Sequence, residues 1–190
     1  MKASERLNRS ARRSLQGLAC GLLCAASGLL SACSEAQSAY DTTHQAAFIY
    51  RRVATNPALL SSLGGFGIYC KVWYEGGQLH FQNNVRTAAI DNLDAAAGDK
   101  PYIAISGFIV GKGPDALYAF DRACPNCASA DLINHALDFT AVGATTVQCS
   151  RCKRIYDLDL GGLPVGGEKG IKLFRYHIDT DGLNNLHIYN

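Results

Sequence analysis

The stretch Val147-Gln148-Cys149-Ser150-Arg151-Cys152-Lys153-Arg154-Ile155-Tyr156-Asp157-Leu158 reads as a strand, a tight turn and a second strand, with a C-x-x-C in the turn. A second C-x-x-C, Cys124-Pro125-Asn126-Cys127, stands 21 residues earlier and follows the apolar run Leu117-Tyr118-Ala119-Phe120. Each C-x-x-C turn aims two sulfurs at one point, so two facing turns make a four-thiolate cage. Soft thiolates in a tetrahedron suit zinc or iron. The 21-residue separation lies at the edge of the range for paired C-x-x-C zinc sites. Cys124, Cys127, Cys149 and Cys152 are therefore the expected ligands of a metal or cluster held by two loops.

The rest of the chain reads as short strands. Ile68 to Tyr74 and Leu79 to Gln82 flank Gly76-Gly77, a hairpin signal. Tyr102 to Val110 is an apolar run rich in Ile. Ile171 to Ile178 and Leu186 to Tyr189 flank Asp181-Gly182, a second hairpin signal. Helical signals are few. Thr87 to Ile90 is too short for a helix, and Ala128 to Leu137 is the one helical stretch expected between the cysteine pairs. With 19 glycines, the pattern predicts an all-β fold, an antiparallel sandwich or barrel bearing a small metal-binding subdomain of two C-x-x-C loops.

The N-terminal segment is of another kind. Lys2, Arg6, Arg9, Arg12 and Arg13 precede an apolar stretch from Leu15 to Leu30, which ends in Leu30-Ser31-Ala32-Cys33. This is the pattern of a secretory signal, and its ending resembles a bacterial lipobox, which implies lipid on Cys33. The expected organisation is a signal peptide over 1–33, a linker over 34–45 and one domain over 46–190. The expected location is the cell envelope, outside the cytoplasm and held to a membrane by lipid. Taking the five basic residues from the chain's 18 and Glu5 from its 16 acidic ones leaves 13 and 15, a net charge of −2. That balance offers no basic face for nucleic acid. Five cysteines then remain besides Cys33: the four expected ligands and Cys70, which lies in a strand-like run and reads as a plain buried thiol.

The segments Leu117 to Cys127, Val147 to Leu158 and Gly161-Gly162-Leu163-Pro164-Val165-Gly166-Gly167 together resemble a Rieske-type iron–sulfur domain. The likeness runs from about Ala116 to Asn190, with cluster binding over 116–168. Leu173-Phe174-Arg175-Tyr176 and Leu186-His187-Ile188-Tyr189 sit where that family has its closing strands. The resemblance implies a [2Fe–2S] cluster, electron transfer with a redox partner protein, and a glycine- and proline-rich cover loop over Gly161 to Gly167. By position, Cys149 matches the second-loop cysteine and Cys152 its histidine. Cys124 matches the first-loop cysteine, and Cys127 falls one residue past the histidine. The family's two histidines are thus absent. An all-thiolate cluster has a lower potential than a histidine-ligated one and no histidine-linked proton coupling.

Two other readings stand beside it. Four cysteines also hold structural zinc, which makes the chain a zinc-stapled lipoprotein with a binding role. A thiol–disulfide protein is the third; it lacks the βαβ context such chemistry uses, and its degenerate form is two disulfides, one within each pair, with no metal. His135, eight residues after Cys127, reads as a surface or helix-face residue rather than a ligand. Arg122, Arg151, Lys153 and Arg154 crowd the cysteine pairs and would offset thiolate charge. No Ser-His-Asp order or paired carboxylates stand out. The reading leans away from an enzyme, leaving room for an electron-transfer component of one.

Overall fold

A computed structural model describes residues 40–190, apart from Ala97, Ile103, Leu132 and Leu183. The expected signal segment, the lipidated Cys33 and the linker up to residue 39 lie outside the described residues. Among the described residues no helix is long and apolar enough to cross a membrane.

The chain is all-β in class. Its strands are β1 (Ala47–Tyr50), β2 (Tyr69–Glu75), β3 (Gln78–Asn83), β4 (Ala88–Asp91), β5 (Lys100–Tyr102), β6 (Phe108–Lys112), β7 (Leu117–Asp121), β8 (Leu137–Phe139), β9 (Thr146–Cys149), β10 (Ile155–Asp157), β11 (Leu163–Gly166), β12 (Arg175–Thr180) and β13 (Leu186–Tyr189). Among the described residues two α-helices accompany them, α1 (Pro57–Gly64) and α2 (Pro125–Asp131), with a short 3-10 helix at Val53–Thr55. Nine strands form one antiparallel sheet in the order β4-β3-β2-β6-β7-β12-β13-β1-β5, and four form a second in the order β11-β10-β9-β8.

The large sheet is curled, and its two ends are tied together. Tyr50 at the end of β1 donates its hydroxyl to Asp91 of β4 at 2.8 Å. Arg52 donates to Asp91 at 3.0 Å and to Asp99, just before β5, at 2.8 Å. The curl encloses an aromatic core of Phe48, Tyr50, Phe81, Phe108 and Tyr176 with Val72, Val110, Leu186 and Ile188. Helix α1 closes it with Ala58, Leu59 and Leu63. That helix starts where Asn56 caps it, accepting from the Leu59 N–H at 3.1 Å, with Pro57 in the first turn, where its missing N–H does no harm.

Strands β2, β6 and β7 are buried on both faces. Cys70, Val72, Phe108, Val110 and Ala119 point into the curl, whereas Tyr69, Ile109, Tyr118 and Phe120 point the other way. The outward residues meet Leu137, Val147, Tyr156, Leu158 and the cysteines, so the four-stranded sheet covers this outer face. Two-sided burial explains why these strands read as continuous apolar runs.

The expected hairpins form. β2 pairs β3 around Gly76 and Gly77, both at positive φ as such a turn requires, and β12 pairs β13 around Gly182. Two expectations are corrected. The helix between the cysteine pairs spans Pro125–Asp131 rather than 128–137, because it nucleates on the Cys124 carbonyl, which accepts from the Ala128 N–H. Leu137 is instead drawn into β8 by its N–H to the Arg122 carbonyl at 2.7 Å. Gly161 to Gly167 is not simply a loop, since Leu163–Gly166 pairs with β10 as an edge strand. As expected, Thr87 to Ile90 is not helical: Ala88–Asp91 forms β4, because β3 offers it a partner.

Candidate metal centre

Two different devices deliver the cysteines. Strand β7 ends at Asp121, whose buried carboxylate accepts hydrogen bonds from the Ala123, Ile105 and Ser106 N–H groups and from the Tyr176 hydroxyl. The bond to Ala123, 2.7 Å long, turns the chain towards Cys124. Cys124 then donates its N–H to the His135 carbonyl at 2.8 Å, and Cys127 follows in the first turn of α2. The second pair lies in the β9–β10 hairpin. The Cys149 N–H donates to the Arg154 carbonyl and the Lys153 N–H to the Cys149 carbonyl, both at 3.0 Å. Lys153 takes a left-handed conformation at φ 61°, which brings the chain back after Cys152.

The four sulfurs converge, all within 4.8 Å of one another. Cys124 Sγ lies 3.6 Å from Cys152 Sγ, and Cys127 Sγ lies 3.8 Å from Cys149 Sγ. A tetrahedron with metal–sulfur arms of 2.3 Å has edges of about 3.8 Å, which the contacts of 3.6 and 3.8 Å match, with every other pair within 4.8 Å. Cys124, Cys127 and Cys149 are buried, and Cys152 is partly exposed. The four expected ligands are therefore brought together in a site closed on most sides, able to bind a metal ion.

The surroundings tune these thiols. Burial pushes the Cys124 thiol up, against the nearby Tyr156 hydroxyl, 3.5 Å from its sulfur. Burial likewise pushes Cys127 up, and the neighbouring cysteines push the same way. At Cys152 burial also acts upward, but hydrogen bonds from the Arg154 N–H and side chain outweigh it and bring the thiol down to about 7. Asn126 donates its amide to the Tyr156 hydroxyl oxygen, which leaves the hydroxyl proton for the Cys124 sulfur. An ion of charge +2 with four thiolates carries a net −2, and Arg154 is the cation placed against it.

The segment from Glu168 to Ile171, just past the expected cover loop, is tied to both ligand loops. Arg154 donates to the Glu168 and Lys169 carbonyls at 3.3 Å and to the Glu168 carboxylate at 3.1 Å. Asn126 accepts from the Ile171 N–H at 3.3 Å. A Cβ on Gly170 would come within 2.7 Å of the Asn126 amide, so the close approach needs glycine there.

Other candidates fall elsewhere. His135 contributes its carbonyl, and its ring is not among the converging groups. Arg122 turns away from the sulfurs, pairing with Asp138 at 3.6 Å and lying 4.7 Å from the centre of the Trp73 ring. Arg151 and Lys153 are exposed. Cys70 sits in the aromatic core, where burial pushes its thiol up to about 12. Asp121, Asn126 and Tyr156 were not singled out as site residues by sequence reasoning. Their places next to or between ligands were the available signal. Compared with known proteins, the chain matches no family model, no curated sequence and no solved structure, so what is known of the site rests on its own geometry.

Proposed function

We propose that the four cysteines hold a single zinc ion that fastens the small sheet onto the large one, and that the protein serves as a metal-stapled binding module rather than a catalyst. The observation that carries this reading is the sulfur cage, with contacts of 3.6 and 3.8 Å and no pair beyond 4.8 Å. Two irons bridged by sulfide would separate the thiolate pairs further than one shared ion does. The burial of three of the four ligands also suits a structural ion, since a catalytic zinc keeps an open position. Attachment to a membrane through lipid on Cys33, outside the cytoplasm, belongs to the same proposal.

A second reading keeps the Rieske-like [2Fe–2S] cluster and electron transfer to a redox partner. Two observations favour it: residues 168–171, which directly follow the expected cover loop, are tied to both ligand loops, and Cys152 gives the site one solvent-facing edge. Metal analysis with a visible spectrum of the anaerobically purified protein separates the two. One zinc per chain and no colour supports the staple. Two irons per chain with broad absorbance above about 400 nm, bleached by dithionite, would replace it with the cluster.

A further inference from the structure

We propose that the cysteine cage is also an oxidation-sensitive centre, in which a hydroperoxide joins the four thiolates into two disulfides between the loops, Cys124–Cys152 and Cys127–Cys149, and expels the ion. The proposal rests on the reading of the site as a single-ion tetrathiolate.

Three observations carry it. The two sulfur–sulfur hydrogen bonds run between the loops, Cys124 with Cys152 at 3.6 Å and Cys127 with Cys149 at 3.8 Å, within a cage where all four sulfurs lie within 4.8 Å of one another. Of the four sulfur-bearing residues, Cys152 is the partly exposed one, so an oxidant from solvent meets it first, and Cys124 is its contact. The loops belong to different elements, the start of α2 and the β9–β10 hairpin, and both pack into one buried cluster. The fold therefore holds each cross-loop pair in contact before any bond forms. A bond within either C-x-x-C would close a ring of a few residues and leave the loops untied. A cross-loop bond closes a much longer loop, restricts the unfolded chain more and replaces the tether that the ion supplied.

The chemistry balances. The Cys152 thiolate attacks one oxygen of hydrogen peroxide, forming a sulfenic acid and releasing hydroxide. The Cys124 thiolate then attacks the Cys152 sulfur, forming the disulfide and releasing a second hydroxide. Two electrons have left the sulfurs for one peroxide. With two of the four donors gone, Cys127 and Cys149 alone would hold a divalent ion too weakly to retain it, and it would be released as the aquated dication. A second peroxide takes Cys127 and Cys149 through the same steps. Cys70 takes no part, since it lies fully buried in the other core.

The test treats the zinc-loaded full chain with hydrogen peroxide, follows zinc release with a coloured chelator, blocks remaining thiols and maps disulfides without reduction. Cleavage before Asp131 and Asp138 parts Cys127 from Cys149, and trypsin cuts between Cys149 and Cys152 after Arg151. Cross-loop bonds then tie the peptide bearing Cys124 and Cys127 to both others. Within-pair bonds leave it free, closed on itself. The expected result is that the cross-loop species predominate over the within-pair ones and form as zinc is released. A predominance of within-pair bonds, sulfinic acids without disulfides, or any bond to Cys70 overturns the proposal. Should the chain carry no zinc, the release trace is flat while the peptide map still reports which sulfurs pair, so the two ideas fail separately. A second measurement guards the conclusion: the peroxide-treated chain should melt well above the same chain stripped by a chelator, and equal melting temperatures would also overturn it.

Discussion

Cys70 and Cys124 are both fully buried, and they belong to the cores on opposite faces of one sheet. Inside the curl, Cys70 is one small apolar group among rings: Phe108 packs edge-on to Tyr176 at 5.6 Å, and Tyr50 lies 5.1 Å from Phe81. Nothing there needs an ion, because buried area supplies the stability. On the outer face, three of the twelve buried residues are expected ligands, and the covering sheet is built of strands three or four residues long. Strands this short make few ladder bonds, so the sheet depends on its packing against the large one. Buried area alone holds one face of the domain together, and on the proposed reading four thiolates add a metal tether to the buried area of the other.

Removing a ligand should break this contrast most sharply. Cys152→Ser leaves three thiolates, and the expected outcome is loss of the metal together with amide-exchange protection over β8 to β11, while β2, β6 and β7 stay protected. Structural zinc contributes on the order of 10 kcal/mol to small sites at neutral pH, so this is the largest effect expected anywhere in the chain. Cys70→Ser is the control: the metal content should not change. A variant pair behaving the other way round would show that the ligand assignment is wrong.

Phe108→Ala attacks the other face. The ring is fully buried in the aromatic core, and its removal should cost about 3–5 kcal/mol, read as a shift in denaturant midpoint. Metal stoichiometry in the still-folded fraction should remain that of the parent. Loss of metal at unchanged stability would contradict the separation of the two cores.

How much of this was legible in the sequence follows the same division. The cysteines announced their cage by spacing, and the β2–β3 hairpin announced itself through Gly76-Gly77, because both features are set within a few residues. Helix α1 was missed. It runs eight residues and mixes Ser61 and Ser62 with its apolar positions, so no clear period marks it, and the one local sign was Asn56-Pro57 at its start. Strand β4 has two exposed positions in four and owes its existence to β3 beside it. Arg122 follows β7 directly and seemed poised to serve the thiolates, yet Asp138 and Trp73, 16 and 49 residues away in sequence, hold it elsewhere. What depends on partners distant in the chain was not readable from local pattern.

Asp121 joins the two regions, since one carboxylate accepts from Tyr176 of the aromatic core and from Ala123 beside the first ligand. Asp121→Asn keeps the shape but replaces one acceptor oxygen with a donor that faces N–H groups. The expected cost is about 2–3 kcal/mol, with weaker metal retention under chelator competition. If stability falls while the metal is held as tightly as before, the carboxylate serves the core alone.

The smallest effect expected is at the tie that closes the curl. At Asp91 burial acts upward, but hydrogen bonds from the Tyr50 hydroxyl and the Arg52 guanidinium outweigh it and hold the carboxyl below its ordinary 3.8. A carboxylate whose folded pKa lies below its unfolded value adds stability above the unfolded value and loses it as pH falls through the folded one. At Asp121 the direction is opposite: burial raises the carboxyl despite its hydrogen bonds, so that group's contribution falls as pH rises from 3.8 through its folded value. Asp91 and Arg52 are each partly exposed, so solvent screens the pair and Asp91→Asn should cost about 0.5–1 kcal/mol at neutral pH. Urea midpoints of parent and variant should differ at neutral pH and converge as the pH is lowered towards about 3. A difference that stays constant across that range would mean Asp91 closes the curl by shape and neutral hydrogen bonding, and that the charge on Arg52 contributes nothing to joining the two ends of the sheet.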